Sequence, residues 1–287
     1  MRPLIIGGPT AAGKSDAALA VAARFGAHII SADAMTVYRH MDIGTAKPSP
    51  EVLARHPHHC INVRDPDEDF TVEDFAQTVS RVIEQHQEPV IIAGGTPFYL
   101  ASLVRPLPQL PPGDPAVRAA LEQIEDPHAR LAELDPTMAE KLHPNDRVRV
   151  VRALEVIAIT GEKMSVLQAA PPRRPVLDCE VVWLDREGLR ERIALRLKGM
   201  MGAGYVAEVE QLLADGWGPE LKPMRSFSYR HMVAHVQGGL DLDEAMRLTE
   251  RDTWRLARKQ RNWARSMAWA PGTIADVMPA AERAFSG

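Results

Sequence analysis

The chain has 287 residues, 45% of them hydrophobic and 25% charged, which is enough to bury one large core and a smaller second one. Its formal net charge of −4 excludes bulk attraction to nucleic acid, so a polyanionic partner has to be held by local basic surfaces. The two cysteines, Cys60 and Cys179, have no paired spacing, which excludes a disulfide scaffold or a zinc ribbon.

Met1-Arg2-Pro3 runs into the apolar Leu4-Ile5-Ile6, a first predicted strand, with no signal peptide. No apolar run approaches the roughly 20 residues of a membrane span. The expectation is a cytoplasmic protein without membrane contact, acting as a monomer. Next comes Gly8-Pro9-Thr10-Ala11-Ala12-Gly13-Lys14-Ser15, which fits the phosphate-binding P-loop pattern without mismatch and leads into a helix from Asp16. Its glycines let the backbone wrap a phosphate, the amides and the helix N-terminus attract the negative charge, and Lys14 adds a mobile cation. Ser15 is placed to ligate Mg²⁺, the expected cofactor. The loop alone leaves open whether ATP, another nucleotide or a diphosphate ester is bound.

The helix ends near Phe25-Gly26, and His28-Ile29-Ile30-Ser31 predicts a second strand with Asp33 just beyond it. In open α/β sheets ligands sit outside the carboxyl ends of the strands, so Asp33 shares a rim with the glycine-rich loop. Met35 to Pro48 is a rim loop of little period, a usual place for function. His56, His58 and His59 invite a metal reading, but the intervening proline and the missing ligand spacing fit a polar loop better. Thr71 and Asp74 mark a helix start, with Val72, Phe75, Val79, Val82 and Ile83 on one face. Pro89 to Ala93 predicts a third strand, ending in Gly94-Gly95-Thr96, which brings a hydroxyl to the same rim. A helix from Pro97 to Val104 completes a strand–helix alternation that implies a parallel sheet.

Pro106, Pro108, Pro111, Pro112 and Pro115 then form a stiff connector. From Asp114 to Gln168 the pattern is helical, with starts at Asp126-Pro127, Asp135-Pro136 and His143-Pro144-Asn145-Asp146. Pro171 to Pro175 closes this block, and Val181 to Asp185 returns to a strand. The remainder reads as helix over Glu187 to about Leu213, Arg225 to Val236 and Leu242 to about Trp269. The expected fold class is α/β: a P-loop NTPase-like core with a parallel sheet flanked by helices, residues 1–113 and 176–287, plus an inserted all-helical domain, residues 114–175. Two basic segments stand out. Arg147, Arg149 and Arg152 lie on an inserted helix, and Arg247, Arg251, Arg255, Arg258, Lys259, Arg261 and Arg265 outweigh Glu250 and Asp252 near Trp254, Trp263 and Trp269. Such a helix either tracks a sugar–phosphate backbone with stacking tryptophans or is a solvated face over core tryptophans.

Taken together the motifs resemble one family, the tRNA dimethylallyltransferases of the bacterial type, over nearly the whole chain. The resemblance rests on residues 8–15, Ile30-Ser31-Ala32-Asp33, Val37-Tyr38, Met41 to Pro48, Gly94-Gly95-Thr96, His143 to Asp146, Arg152 to Val156 and Thr160-Gly161. It implies transfer of a dimethylallyl group from dimethylallyl diphosphate to N6 of adenosine 37 in tRNA. It also implies that Asp33 is the general base and Thr96 the hydroxyl orienting the same site. The diphosphate would be held by Gly8, Pro9, Thr10, Ala11, Ala12, Gly13, Lys14 and Ser15 with Mg²⁺, and by Arg225. The tRNA would meet Asp33, Ala34, Met35, Thr36 and Thr96 at the target base, and Arg118, Val148, Arg149, Val150, Val151 and Arg152 on the insert.

Three departures from the family pattern are visible. Asp33-Ala34-Met35-Thr36 replaces the usual Asp-Ser-Met-Gln, Phe227-Ser228-Tyr229 replaces Ile-Gly-Tyr, and Arg258-Lys259-Gln260 replaces Lys-Arg-Gln, losing the arginine fork at Lys259. In keeping with the bacterial type, no zinc-finger tail is expected. The alternatives are an isopentenyltransferase acting on free adenine nucleotides, a P-loop small-molecule kinase, and a non-catalytic tRNA-binding protein. Against the kinase, Ile91-Ile92-Ala93 ends without an acid to ligate magnesium; against the last, Lys14, Asp33 and Thr96 occur together.

Overall fold

The computed structural model describes residues 1–105, 108, 110–170 and 176–286. The chain divides into two compact units, Met1–Val104 with Leu177–Gly287, and Arg105–Val176.

The larger unit is built on β1 (Leu4–Gly7), β2 (His28–Ala32), β3 (His58–His59), β4 (Val90–Gly94), β5 (Glu180–Leu184) and β6 (Pro271–Gly272). Their spatial order is β3-β2-β4-β1-β5-β6, and every pairing is parallel. The near-continuous apolar runs of β1 and β4 occupy the middle, where both faces of a parallel sheet are covered. Alternation along the strands sends Ile5, Ile30 and Ile92 to one core and Leu4, Ile6, Ile29 and Ile91 to the other. Each such side chain contributes about 1.5–3 kcal/mol by leaving water. The first core is closed by Phe75 and Val79 of the helix Val72–Gln85 and by Tyr99 and Leu100 of Pro97–Val104. The second is closed by Ala17 and Val21 of Lys14–Phe25 and by Val277 and Ala281 of Ile274–Phe285. Thr71 and Asp74 form a reciprocal capping box at the start of Val72–Gln85.

Parallel strands put all carboxyl ends on one rim, where the segments after β1, β2 and β4 meet. The approach there is close: a β-carbon on Gly95 would stand 2.5 Å from Gln260 Nε2 and 2.8 Å from the Gly8 carbonyl oxygen, so only glycine fits.

Several elements differ from the sequence reading. His58–His59 is the edge strand β3, paired with Ile29 and Ile30, rather than a polar loop. Beyond the rim loop a helix, Pro50–Arg55, fills a stretch left unassigned; it buries none of its residues and so carries no apolar period. The helix expected from Glu187 to Leu213 is two, Leu189–Gly202 and Tyr205–Ala214, separated at Gly204 by its left-handed backbone, φ 97°. The helix expected from Arg225 begins at Arg230, and β6 with Ile274–Phe285 fills a stretch left unassigned. On Leu242–Ser266 the basic residues are largely internal partners. Arg247 pairs with Glu244, Arg251 and Arg255 with Asp252, and Arg261 with Asp185. Trp263 and Trp269 cluster with Trp183 at centroid separations of 5.1–5.9 Å, and Trp254 packs on the second core. These tryptophans are packing groups, not stacking platforms. Among the described residues no helix is long and apolar enough to cross a membrane.

The smaller unit has helices Pro115–Glu122, Pro127–Leu134, Pro136–Lys141, Arg147–Thr160 and Met164–Ala169 around Leu131, Met138, Val150 and Leu154. Asp114, Asp126, Asp135 and Asp146 cap helix starts by accepting from backbone N–H groups. The unit starts at Arg105 rather than at residue 114, because the buried Glu155 accepts from the Asp114 N–H and Arg152 donates to the Pro111 carbonyl. Pro106 and Pro171 to Pro175, part of the proline-hinge reading, lie outside the described residues.

Candidate active site

The loop after β1 turns through left-handed Ala11 (φ 65°) and Gly13 (φ 96°) before the helix begins at Lys14. Lys14 Nζ donates to the Pro9 carbonyl at 2.7 Å. Burial pulls the Lys14 ammonium down to about 8, the Asp33 carboxylate works in the opposite direction, and the Arg196 guanidinium repels it. Three side chains from distant helices hold the loop. Gln260 accepts from the Thr10 N–H at 2.9 Å and donates to the Gly95 carbonyl at 2.7 Å, tying the segments after β1 and β4 together. Arg192 Nε donates to the Ala11 carbonyl at 2.9 Å. Arg196 donates to Thr10 Oγ1 at 3.0 Å and to the Thr45 carbonyl at 3.4 Å. Burial lowers the Arg196 pKa from its ordinary value, against the field of Asp33.

Beyond β2, Asp33 Oδ1 accepts from the Met35 N–H at 2.9 Å, which fixes the carboxylate against its own backbone. Thr96 Oγ1 accepts from the Ala34 N–H at 3.0 Å, joining the segments after β2 and β4. Thr36 is buried and its hydroxyl lies 2.9 Å from Ser31 Oγ. The next turn is gathered by Glu208, whose carboxylate accepts from the N–H groups of Asp42 (2.7 Å), Ile43 (2.6 Å) and Gly44 (3.0 Å) and from the Tyr229 hydroxyl at 2.7 Å. Gly44 has to be glycine, since a β-carbon there would stand 2.4 Å from the Tyr205 ring. The Lys47 ammonium is buried and donates to the Tyr38 carbonyl, to Asp42 Oδ1 at 2.7 Å and to Asn62 Oδ1 at 2.6 Å.

One cavity collects these groups: Thr10, Lys14, Ser15, Asp33, Met35, Thr36, Arg196 and Gln260 all line it. Two half-buried cations, Lys14 and Arg196, therefore share one cavity with the Asp33 carboxylate. Thr96 stands behind Asp33, linked through Ala34. Arg225 is exposed and outside the cavity lining, which the chain reaches two residues later at Phe227 and Ser228. In the helical unit, Val148 is 82% exposed and Arg149 projects beside Asp146 at 3.3 Å. Val150 and Val151 are buried in that unit, so their side chains are not available for the RNA contact expected of them. Arg118 and Arg152 clasp Glu155 at 2.9 and 2.5 Å. Burial alone would raise the Glu155 carboxyl, but the hydrogen bonds from Arg118, Arg152 and the Asp114 backbone outweigh it and lower it. Sequence reasoning missed Arg196 and Glu208 altogether, and it counted Lys47 only within the Met41 to Pro48 motif, without a partner. It noted Gln260 only as the end of a basic triplet.

The chain matches the family model described as IPP transferase over residues 36–267. It is 41% identical to the tRNA dimethylallyltransferase 1 of Citrifermentans bemidjiense, covering 97% of this chain and 95% of that protein. With the tRNA dimethylallyltransferase of Geobacter metallireducens it shares 44% identity, covering 92% and 89%. Of solved structures, the tRNA delta(2)-isopentenylpyrophosphate transferase of Staphylococcus epidermidis has a TM-score of 0.63 at 30% identity, covering 92% of this chain and 90% of that one. The full-length tRNA isopentenylpyrophosphate transferase of Bacillus halodurans has a TM-score of 0.68 at 28% identity, covering 98% and 95%.

Proposed function

Because this chain belongs to the tRNA dimethylallyltransferase family, an enzyme family of tRNA prenylation, we propose that it transfers the dimethylallyl group of dimethylallyl diphosphate to N6 of adenosine 37 in tRNA, releasing diphosphate. The observation that carries this reading is the pairing of Lys14 and Arg196 with Asp33 in one cavity. A leaving diphosphate needs buried cations, and an aromatic amine needs a carboxylate, because its lone pair is delocalised until its proton departs.

In the proposed reaction N6 forms a bond to C1 of the prenyl group as the C1–O bond breaks, and that electron pair leaves on the diphosphate. The N6 proton passes to the Asp33 carboxylate, which the Met35 N–H holds in place. Lys14, Arg196 and the amides of residues 8–15 take up the charge that develops on the leaving group. The Ser15 hydroxyl, exposed at the cavity beside those amides, is an oxygen donor of the kind Mg²⁺ accepts along with water and phosphate oxygens. When bound, the ion would supply further neutralisation of the diphosphate. Arg225 is assigned to the same diphosphate on the family resemblance. The acceptor base has to leave its stack to reach a carboxylate in a cavity, and Arg118, Val148 and Arg149 on the helical unit are exposed groups assigned to the stem-loop. Free thiols at Cys60 and Cys179 fit work in the reducing cytoplasm.

The test is transfer of label from radioactive dimethylallyl diphosphate to an unmodified anticodon stem-loop, run beside AMP and beside γ-labelled ATP. Label on the stem-loop alone is expected. Label on AMP would move the acceptor to free nucleotides, and phosphate transfer from ATP would make the chain a kinase.

A further inference from the structure

His59, one of the histidines that sequence spacing set aside as a loop, takes part in a cluster that no linear pattern shows. His28 opens β2, His59 ends the edge strand β3, and His86 caps the carboxyl end of Val72–Gln85. One ligating atom from each lies within 4.8 Å of the other two. His28 Nδ1 and His59 Nε2 face each other at 3.0 Å, and the His28 and His86 rings are 4.1 Å apart at their centroids. All three are half-buried, so an ion from solvent can reach them while the protein shields it.

We propose that His28, His59 and His86 form a binding site for a divalent transition cation of the zinc type, separate from the reaction site and serving to clamp the sheet edge. Zinc binds imidazole nitrogen at about 2.0–2.1 Å and takes four ligands in a tetrahedron, which sets neighbouring nitrogens about 3.4 Å apart. The 3.0 Å pair therefore has to open by only a few tenths of an ångström. Glu88, 3.9 Å from His86 Nδ1, offers a carboxylate as the fourth ligand or as its support. The nearby groups that oppose a cation are Arg81 and His58. His58 is turned away, its Nδ1 engaged with the His56 carbonyl at 2.7 Å.

The site lies at the amino end of β2, while Asp33 follows its carboxyl end, a separation of roughly 16 Å at 3.3 Å per residue. A bound ion would join β2, the two-residue edge strand β3 and the end of Val72–Gln85. The role is structural, so activity is not its readout.

The test is Zn²⁺ titration of the full chain by calorimetry in excess Mg²⁺, with Co²⁺ substitution read by visible absorption. One Zn²⁺ per chain with micromolar or tighter affinity is expected, together with a tetrahedral Co²⁺ spectrum and a raised melting temperature. His59→Gln and His86→Gln should each weaken binding at least tenfold, whereas His58→Gln should leave it unchanged. His86 sits at a helix end, so its variant should fold even if a change in β3 does not. Absence of saturable Zn²⁺ binding, or binding that survives both variants, would overturn the proposal.

Discussion

In the proposed reaction Lys14 and Arg196 are the residues on which donor binding turns, and their variants are expected to fail differently. The Lys14 ammonium sits at about 8 in the free site, and an arriving polyanion raises that value. Donor affinity is therefore fully present below about pH 8 and should fall as pH rises beyond it, by up to tenfold per pH unit. Measured Kd for dimethylallyl diphosphate between pH 7 and 10 should show this decline in the wild type. In Lys14→Arg, whose side chain stays charged, the decline should vanish. The same decline in both proteins would remove Lys14 as the titrating group. Arg196 donates to Thr10 and Thr45 and lines the cavity. Its replacement by alanine should reduce kcat/KM for the donor by about 10- to 100-fold, the worth of one charge-assisted contact. An unchanged ratio would make Arg196 a purely structural partner of Thr10.

At the scale of elements, the rim is assembled by carboxylates and amides that reach across the chain. Glu208→Ala leaves the N–H groups of Asp42, Ile43 and Gly44 without the acceptor they share. Faster amide exchange at these three residues and a loss of about 2–4 kcal/mol are expected; protection equal to the wild type would mean the turn holds itself. Asp252 plays a comparable part for Leu242–Ser266. Burial would raise its carboxyl, but hydrogen bonds from Arg251, His231 and Arg230 outweigh burial and hold it well below the usual carboxylate range. A depressed carboxylate contributes stability that is present above the unfolded value of about 4 and lost as pH falls toward the folded one. Asp252→Asn should thus cost about 1–3 kcal/mol in urea unfolding at pH 7, and the gap from the wild type should narrow below about pH 4. A gap independent of pH would point to packing instead of charge. The pattern explains what was legible in the sequence. The loop at residues 8–15, the strands around it and Asp33 were readable because strand, turn and helix follow one another within a few dozen residues. Their holders were not. Gln260 is 250 residues from Thr10, Arg196 is 186 from the same residue, and Glu208 is 164 from Gly44. On its own helix each reads as an ordinary polar side chain, and only the fold brings it to the rim.

For the molecule as a whole, a parallel sheet concentrates chemistry on one rim, where Gly44 and Gly95 allow close approach and Lys14 and Arg196 line the cavity. The edge strand β3 was misread for a related reason: it is too short to show alternation, and its His59 finds partners 31 and 27 residues away, at His28 and His86. In the helical unit the aspartate caps were readable because capping is local, whereas the burial of Val150 and Val151 follows from packing that spacing alone does not reveal. The basic helix Leu242–Ser266 makes the same point, since most of the arginines that resembled a nucleic-acid surface are engaged with acids of the same unit. The central claim is that Asp33 takes the proton from the acceptor amine in a cavity whose cations hold the diphosphate. Its most direct test is single-turnover prenyl transfer to an unmodified anticodon stem-loop by Asp33→Asn, with stem-loop and donor affinities measured on the same protein. Affinities within a few-fold of the wild type and a transfer rate lower by about 10²–10⁴ are expected, the usual worth of a general base. A transfer rate equal to the wild type would contradict the claim and place the base elsewhere.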